Sequence, residues 1–201
     1  MCIGGKKYDI DDGYYEDLEV FVSHARDSMT SPCMFHLLSH ICDADEFKKT
    51  KRNLIRLFTR DLKRQFKGSK QSCPNVLIAY SIEFKYTTKK EIEGSDDVYE
   101  YDQTNFLVPK GKQPFLHIHF YVIADCSKTI PNTFKNKAIA SLNGLKGLRA
   151  GRYFVSNKGQ IYKKVKEDYD DCFQRILYIA KLDQKSNQIP FRETFGRSKI
   201  T

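Results

Sequence analysis

Apolar residues recur along this chain with two different periods, and each period predicts its own elements. Residues 14–27 (YYEDLEVFVSHARD) carry the three- and four-residue spacing of a short amphipathic helix. The same spacing returns over 43–66 in Phe47, Leu54, Ile55, Phe58, Leu62 and Phe66, with Asp43 or Asp45 placed as N-cap and Gly68 just past the end. Period two predicts strands. Residues 34–41 read as one, bounded by Ser31-Pro32 and Asp43. Over 75–86 the row Val76, Ile78, Tyr80, Ile82 and Phe84 alternates with Leu77, Ala79, Ser81 and Glu83. Over 114–124 the row Leu116, Ile118, Phe120 and Val122 alternates with His117, His119 and Tyr121. A polar, acidic loop spanning 87–112 joins those two strands. Further on, 131–145 reads as a helix with Asn132 as a candidate cap, followed by a turn rich in glycine (Gly144, Gly147, Gly151). A hairpin over 152–165, turning at Asn157-Lys158-Gly159, and a last helix over 167–184 complete the order.

This order predicts an α+β fold: one mainly antiparallel sheet with helices on one face. The two central strands would each turn a greasy row towards the helices and an ionisable row away from them. With 201 residues and no internal repeat, one domain is the simplest organisation. At 40% hydrophobic and 29% charged residues, the composition excludes collagen-like and disordered classes. The excess of 34 basic over 25 acidic side chains, +9, favours an anionic partner such as nucleic acid. No apolar run approaches the roughly 18–20 residues that span a bilayer, and the first residues lack an apolar leader segment, so a cytoplasmic location without membrane partner is expected. The six cysteines lack CxxC spacing and read as thiols, mostly buried.

His117-Ile118-His119 is the sharpest chemical feature. Residues two apart on a strand project from one face, where two imidazoles can meet one divalent ion; the plainer alternative is a polar pair on a sheet surface. Glu83, on the ionisable row of the preceding strand, is placed to complete a three-ligand site or to be a solvated strand residue. Tyr178 and Lys181 stand three apart in DCFQRILYIAKLDQK and would share a helix face, the phenol placed to attack a phosphodiester beside a cation or to be an amphipathic tyrosine half buried on the helix. Two basic groups fit a DNA path. Lys48, Lys49, Lys51, Arg52, Arg56, Arg60, Lys63 and Arg64 lie on the long helix. Lys146, Arg149, Arg152, Lys158, Lys163 and Lys164 lie in the turn and hairpin, where Tyr153, Phe154 and Tyr162 are placed to stack on unpaired bases. Arg149, Arg152, Tyr153, Lys163 and Lys164 are the DNA-binding candidates. Gly196 and Arg197 read as a turn with a phosphate contact. His36 and His40 would share a face of a helix, but no acid or cysteine follows at ligand spacing and the segment also reads as a strand, so these two and His24 are expected to be core or surface histidines.

FLHIHFYV (115–122) resembles the His-hydrophobic-His motif of HUH endonucleases, and YIAK (178–181) resembles their Tyr-x-x-Lys motif. More narrowly, the chain resembles inovirus-type replication initiation proteins and their prophage-borne relatives over about 33–198. In that family a strand bearing a glutamate precedes the His-x-His strand, and a tail like FRETFGRSK (191–199) follows the tyrosine helix. The resemblance implies a ferredoxin-like or RRM-like HUH endonuclease domain at 31–201 behind an N-terminal extension at 1–30. It implies a replication initiator that nicks and rejoins single-stranded DNA at an origin, with or without a hairpin, through a 5′-phosphotyrosine. His117, His119 and Glu83 would hold Mg²⁺ or Mn²⁺, Tyr178 would be the nucleophile and Lys181 its helper. A transposase- or relaxase-type nuclease, or a DNA-binding regulator without turnover, would share the fold. Gln174 and Leu182 flank Tyr178 at four residues, so the paired-tyrosine pattern of some HUH enzymes is absent. No GxxxxGK[ST] pattern is present, so unwinding would fall to a host helicase working with a host polymerase.

Overall fold

The computed structural model describes residues 2–3, 6–7, 9–10, 12–88, 112–153, 161–181, 189–191 and 193–200. Strands β1 (Cys2–Ile3) and β2 (Lys6–Lys7) pair with each other, and α1 (Asp12–Ser28) follows. Then come β3 (Pro32–Ile41), α2 (Ala44–Lys51), α3 (Leu54–Phe66), β4 (Val76–Thr88) and β5 (Lys112–Asp125). After a 3-10 turn at Cys126–Lys128 come α4 (Pro131–Asn143), β6 (Leu148–Tyr153), β7 (Lys163–Lys164), α5 (Tyr169–Ile176), a 3-10 segment at Leu177–Ala180 and β8 (Phe195–Arg197).

The main sheet runs β6-β3-β5-β4-β8 with every neighbouring pair antiparallel. β5 therefore lies between β3 and β4, which are parallel to one another. From β3 to β6 this is the split β-α-β arrangement of ferredoxin-like folds. The fold is α+β, as expected.

Strand alternation divides the apolar residues into two cores. Ile78, Tyr80, Ile82, Leu116, Ile118 and Phe120 face α2, α3 and α4, meeting Phe47, Phe58, Leu62 and Phe134. On the opposite face Leu77, Ala79, Tyr121 and Ile123 meet α1 through Leu18, Phe21 and Val22, and α5 through Cys172 and Ile176. Helices thus cover one face fully and one end of the other, and α1, from the expected extension, helps build the second core. What is left of that second face, beyond Ala79 and Tyr121, holds Glu83, His117 and His119.

Four local expectations are corrected. The single helix over 43–66 is two: Asp43 caps α2 by accepting from the Glu46 amide at 2.9 Å, and Asn53, with φ −125° and ψ 22°, breaks the chain before α3. At the start of α4, Ile130 occupies the cap position and Pro131 the first helical one, where its missing N–H is no loss; Asn132 lies inside the helix. β6 and β7 do not form a hairpin with each other. Both pair with β3, β6 along Leu37–Ile41 and β7 at Cys33–Met34, so they line one edge in succession; the expected turn at 157–159 lies outside the described residues. The last α-helix stops at Ile176 and tightens into the 3-10 segment, and its expected continuation over 182–184 lies outside the described residues, as does most of the 87–112 loop.

Candidate metal centre

Pairing of β4 with β5 sets Glu83 directly opposite His117, and Ser81 opposite His119. Residues directly opposite share a face, so the glutamate stands beside both imidazoles. His117 Nε2 and His119 Nε2 lie 3.7 and 3.5 Å from the same oxygen, Glu83 Oε2. One ligand atom from each residue falls within 4.8 Å of the others. The cluster is deep: Glu83, His117 and His119 are 0%, 2% and 5% exposed.

Protonation makes this arrangement informative. His117 Nδ1 lies 3.2 Å from the Phe115 carbonyl, which can only accept, so Nδ1 carries the proton and donates. Burial, reinforced by neighbouring His119, pushes the His117 pKa down to about 3, so the ring is neutral near pH 7. Its Nε2 lone pair then faces a carboxylate oxygen, an arrangement that a shared cation relieves. Burial alone would raise the Glu83 pKa, but His119, Lys181 and His117 outweigh it and hold the carboxyl down at about 2. Glu83 Oε1 is buried with no hydrogen-bond partner among the described residues, while Oε2 lies 3.0 Å from Lys181 Nζ. A buried carboxylate with unused lone pairs beside two imidazole nitrogens fits a divalent ion, and the two-histidine, one-carboxylate donor set is a usual one for such ions. Glu83, His117 and His119 can therefore bind a metal.

Tyr178 and Lys181 close over this cluster. Tyr178 lies within the 3-10 segment, and Lys181 is its C-cap, with extended backbone (φ −63°, ψ 146°) bridged to Ile10. The half-buried Tyr178 ring stands edge-to-face against His119, with centroids 5.1 Å apart. Lys181 Nζ sits 3.3 Å from the centre of the Tyr178 ring and 3.0 Å from Glu83 Oε2. Lys181 is 1% exposed, so it is an interior cation, whereas its sequence context reads as part of a polar stripe.

One member of the site escapes the sequence reading. His36, on β3, places Nε2 2.8 Å from His119 Nδ1 and stacks on Tyr121. Burial, with His119, Arg175 and Lys181 adding to it, holds the His36 pKa well below the usual imidazole range. His36 and His40 alternate on β3 with the core row Cys33, Phe35 and Leu37, and this period-two pattern was the signal that places both on the same face as His117 and His119.

The DNA-binding candidates lie along the β6 and β7 edge of the sheet, two strands from β5, with Arg149 and Arg152 at register positions in line with His117 and His119. Arg149 is exposed on β6 opposite His40, whereas Arg152 and Tyr153 occupy the register positions opposite Leu38 and Leu37. Lys163 is ion-paired with Asp171, and Lys164 with Glu167 at 2.7 Å. Tyr162 packs on Phe35 at the edge of the first core, while Phe154 and Lys158 lie outside the described residues. The basic side chains of α2 and α3 occupy the opposite side of the sheet from Glu83, and several are matched locally: Lys49 with Glu46, Arg60 and Arg64 with Asp61. Gly196 and Arg197 form strand β8 rather than a phosphate-binding turn. A Cβ on Gly196 would lie 2.6 Å from the Tyr80 ring, and Arg197 Nη2 donates to Asp17 on α1 at 2.6 Å.

Stability should fall on acidification because of this cluster. His117 titrates near its ordinary 6.5 when unfolded and near 3 when folded, so between those values the unfolded chain alone holds the proton. Glu83 acts with the same sign between its ordinary 4.5 and about 2. The His117 contribution is complete above pH 6.5 and that of Glu83 above 4.5, and each declines below its limit by up to about 1.4 kcal/mol per pH unit. Urea unfolding in chelator from about pH 7 to about pH 4.5 measures this. His117→Asn flattens the profile; a stability that is level or rises on acidification contradicts the assignment.

The chain matches no protein-family model, and no curated protein and no solved structure is similar to it. No helix among the described residues is long and apolar enough to cross a membrane.

Proposed function

We propose that the protein is a metal-dependent endonuclease of the HUH type that nicks and rejoins single-stranded DNA through Tyr178, in the role of a rolling-circle replication initiator. The observation that carries this reading is the position of the Tyr178 ring, edge-on to His119 and beside a cluster of Glu83, His117 and His119 that can bind a metal. The positive net charge supports a polyanionic substrate. Two imidazoles with one carboxylate suit Mn²⁺, and Mg²⁺ through the carboxylate.

A divalent ion held there would act as a Lewis acid on the scissile phosphate. Glu83, His117 and His119 would fix its place, and their burial, at most 5% exposed each, would limit water around it. Tyr178 Oη attacks phosphorus; its bond to phosphorus forms as the bond to the 3′-oxygen breaks, the phenol loses its proton and the departing 3′-oxygen gains one. Lys181 supplies a fixed positive charge beside the phenol. The resulting 5′-phosphotyrosine keeps the phosphodiester linkage energy, so a 3′-hydroxyl can displace the tyrosine and rejoin the strand. A transposase- or relaxase-type enzyme would use the same steps on other DNA.

One observation favours a second reading, a DNA-binding regulator without turnover. The cluster is almost wholly buried and Lys181 already neutralises Glu83, as in a structural ion-pair network. The two readings separate in one assay. Full-length protein is incubated with Mn²⁺ and single-stranded oligonucleotides of its own replicon, labelled at either end, and resolved on a denaturing gel. The enzyme reading predicts an adduct carrying the 3′-terminal label, a free fragment ending in 3′-hydroxyl, and loss of both with chelator. Binding without any adduct leaves the regulator.

A further inference from the structure

We infer that His36 is a positioning residue for the metal centre, holding His119 in the orientation and tautomer in which Nε2 is the ligand atom. This rests on the metal reading above and adds a residue to it. The two ligand imidazoles are oriented by different devices. His117 is fixed by a backbone acceptor, the Phe115 carbonyl, which no side-chain substitution removes. His119 is held at Nδ1 by a side chain instead: that nitrogen meets His36 Nε2 at 2.8 Å.

His36 is itself held firmly. It stands opposite Tyr121 in the β3–β5 register, and their rings stack with centroids 4.1 Å apart and planes 16° apart. From there it reaches diagonally across to His119, one alternation further along β5. Its ring plane is thus set by Tyr121, and the hydrogen bond transmits that orientation to His119.

The proton arithmetic makes the contact specific. A histidine bound through Nε2 carries its remaining proton on Nδ1 and needs an acceptor there. His36 supplies one by keeping its own proton on Nδ1 and offering the Nε2 lone pair. A hydrogen-bond partner of this kind contributes about 10–100-fold to metal affinity, and the same is expected of His36.

The test uses the full chain and Mn²⁺ as the probe, with affinity read by calorimetry and by loss of the free-ion Mn²⁺ electron paramagnetic resonance signal. His36→Phe keeps a ring stacked on Tyr121 but offers no acceptor; His36→Gln keeps an acceptor. The expected result is about 10–100-fold weaker binding for His36→Phe, near-normal binding for His36→Gln, and little change in the unfolding midpoint of either in chelator. Equal binding by wild type and His36→Phe, or equal weakening by both variants, overturns the inference while leaving the metal centre intact. Failure of the wild type to bind Mn²⁺, or binding unaffected by Glu83→Ala, overturns the metal reading and this inference with it. Should His36→Phe not fold, ¹⁵N spectra of the Zn²⁺-loaded wild type decide: His119 protonated at Nδ1 supports the inference, and a bare Nδ1 overturns it.

Discussion

Tyr178→Phe is expected to abolish the covalent protein–DNA adduct and to reduce nicking by at least about 1,000-fold, with single-stranded DNA binding unchanged. The substitution removes one oxygen. The ring remains to pack against His119 and under the Lys181 ammonium, so neither the fold nor the neighbouring charges lose a partner of comparable size. A loss confined to adduct and cleavage therefore identifies the oxygen as the attacking atom. Tyr169→Phe is the control. That phenol lies at the start of α5, where it shares a hydrogen bond with Ser23 Oγ at 2.7 Å and lies under Arg26, both on α1. Its removal should leave adduct formation intact. An adduct that survives in Tyr178→Phe and vanishes in Tyr169→Phe would reassign the nucleophile.

Lys181→Met is expected to destabilise the protein by about 3–5 kcal/mol in chelator, the largest stability effect of any single change in the site. Glu83 and Lys181 are 0% and 1% exposed, and their charges are 3.0 Å apart. Without the ammonium the carboxylate stays buried beside the neutral His117 imidazole, and its desolvation is no longer compensated. On a total of about 5–15 kcal/mol for an ordinary domain, such a loss approaches unfolding. Replacing both, Glu83→Leu with Lys181→Met, should recover most of the stability, because apolar side chains of similar volume need no compensation. Denaturant curves on the two single variants and the pair measure the coupling. A cost below about 1 kcal/mol for Lys181→Met would show that the pair is not the electrostatic centre of this site. Activity measurements on Lys181 variants are informative only once their folded fraction is known.

The sequence made some of this legible and concealed the rest for physical reasons. The period-two rows of β4 and β5 already separate Glu83, His117 and His119 from the core residues, because alternation assigns faces without knowledge of the partner strand. The break between α2 and α3 leaves no trace in the pattern. Phe47 and Leu54 are seven residues apart, so the apolar stripe keeps its phase across Asn53 and reads as continuous. β7 is two residues long, too short for any period, and it took the β3 register to show that β6 and β7 share an edge. His36 was concealed by its four-residue distance from His40, which suggests a helix face as readily as a strand face. The depth of Lys181 is a tertiary effect: only the packing of the 3-10 segment against β4 brings a lysine that follows Tyr-Ile-Ala onto Glu83. The amphipathic stripe of α1 was evident, whereas its choice of the second sheet face was not, since a helix pattern does not specify what it packs against.

Glu83, His117 and His119 are expected to hold a divalent ion beside Tyr178, and anomalous diffraction from crystals grown with Mn²⁺ would locate it. The predicted result is one strong anomalous peak bonded to His117 Nε2, His119 Nε2 and a Glu83 oxygen, with the Tyr178 phenol turned towards it. Crystals with Mn²⁺ peaks elsewhere and none at these three side chains, the Lys181 ammonium alone neutralising Glu83, would contradict it.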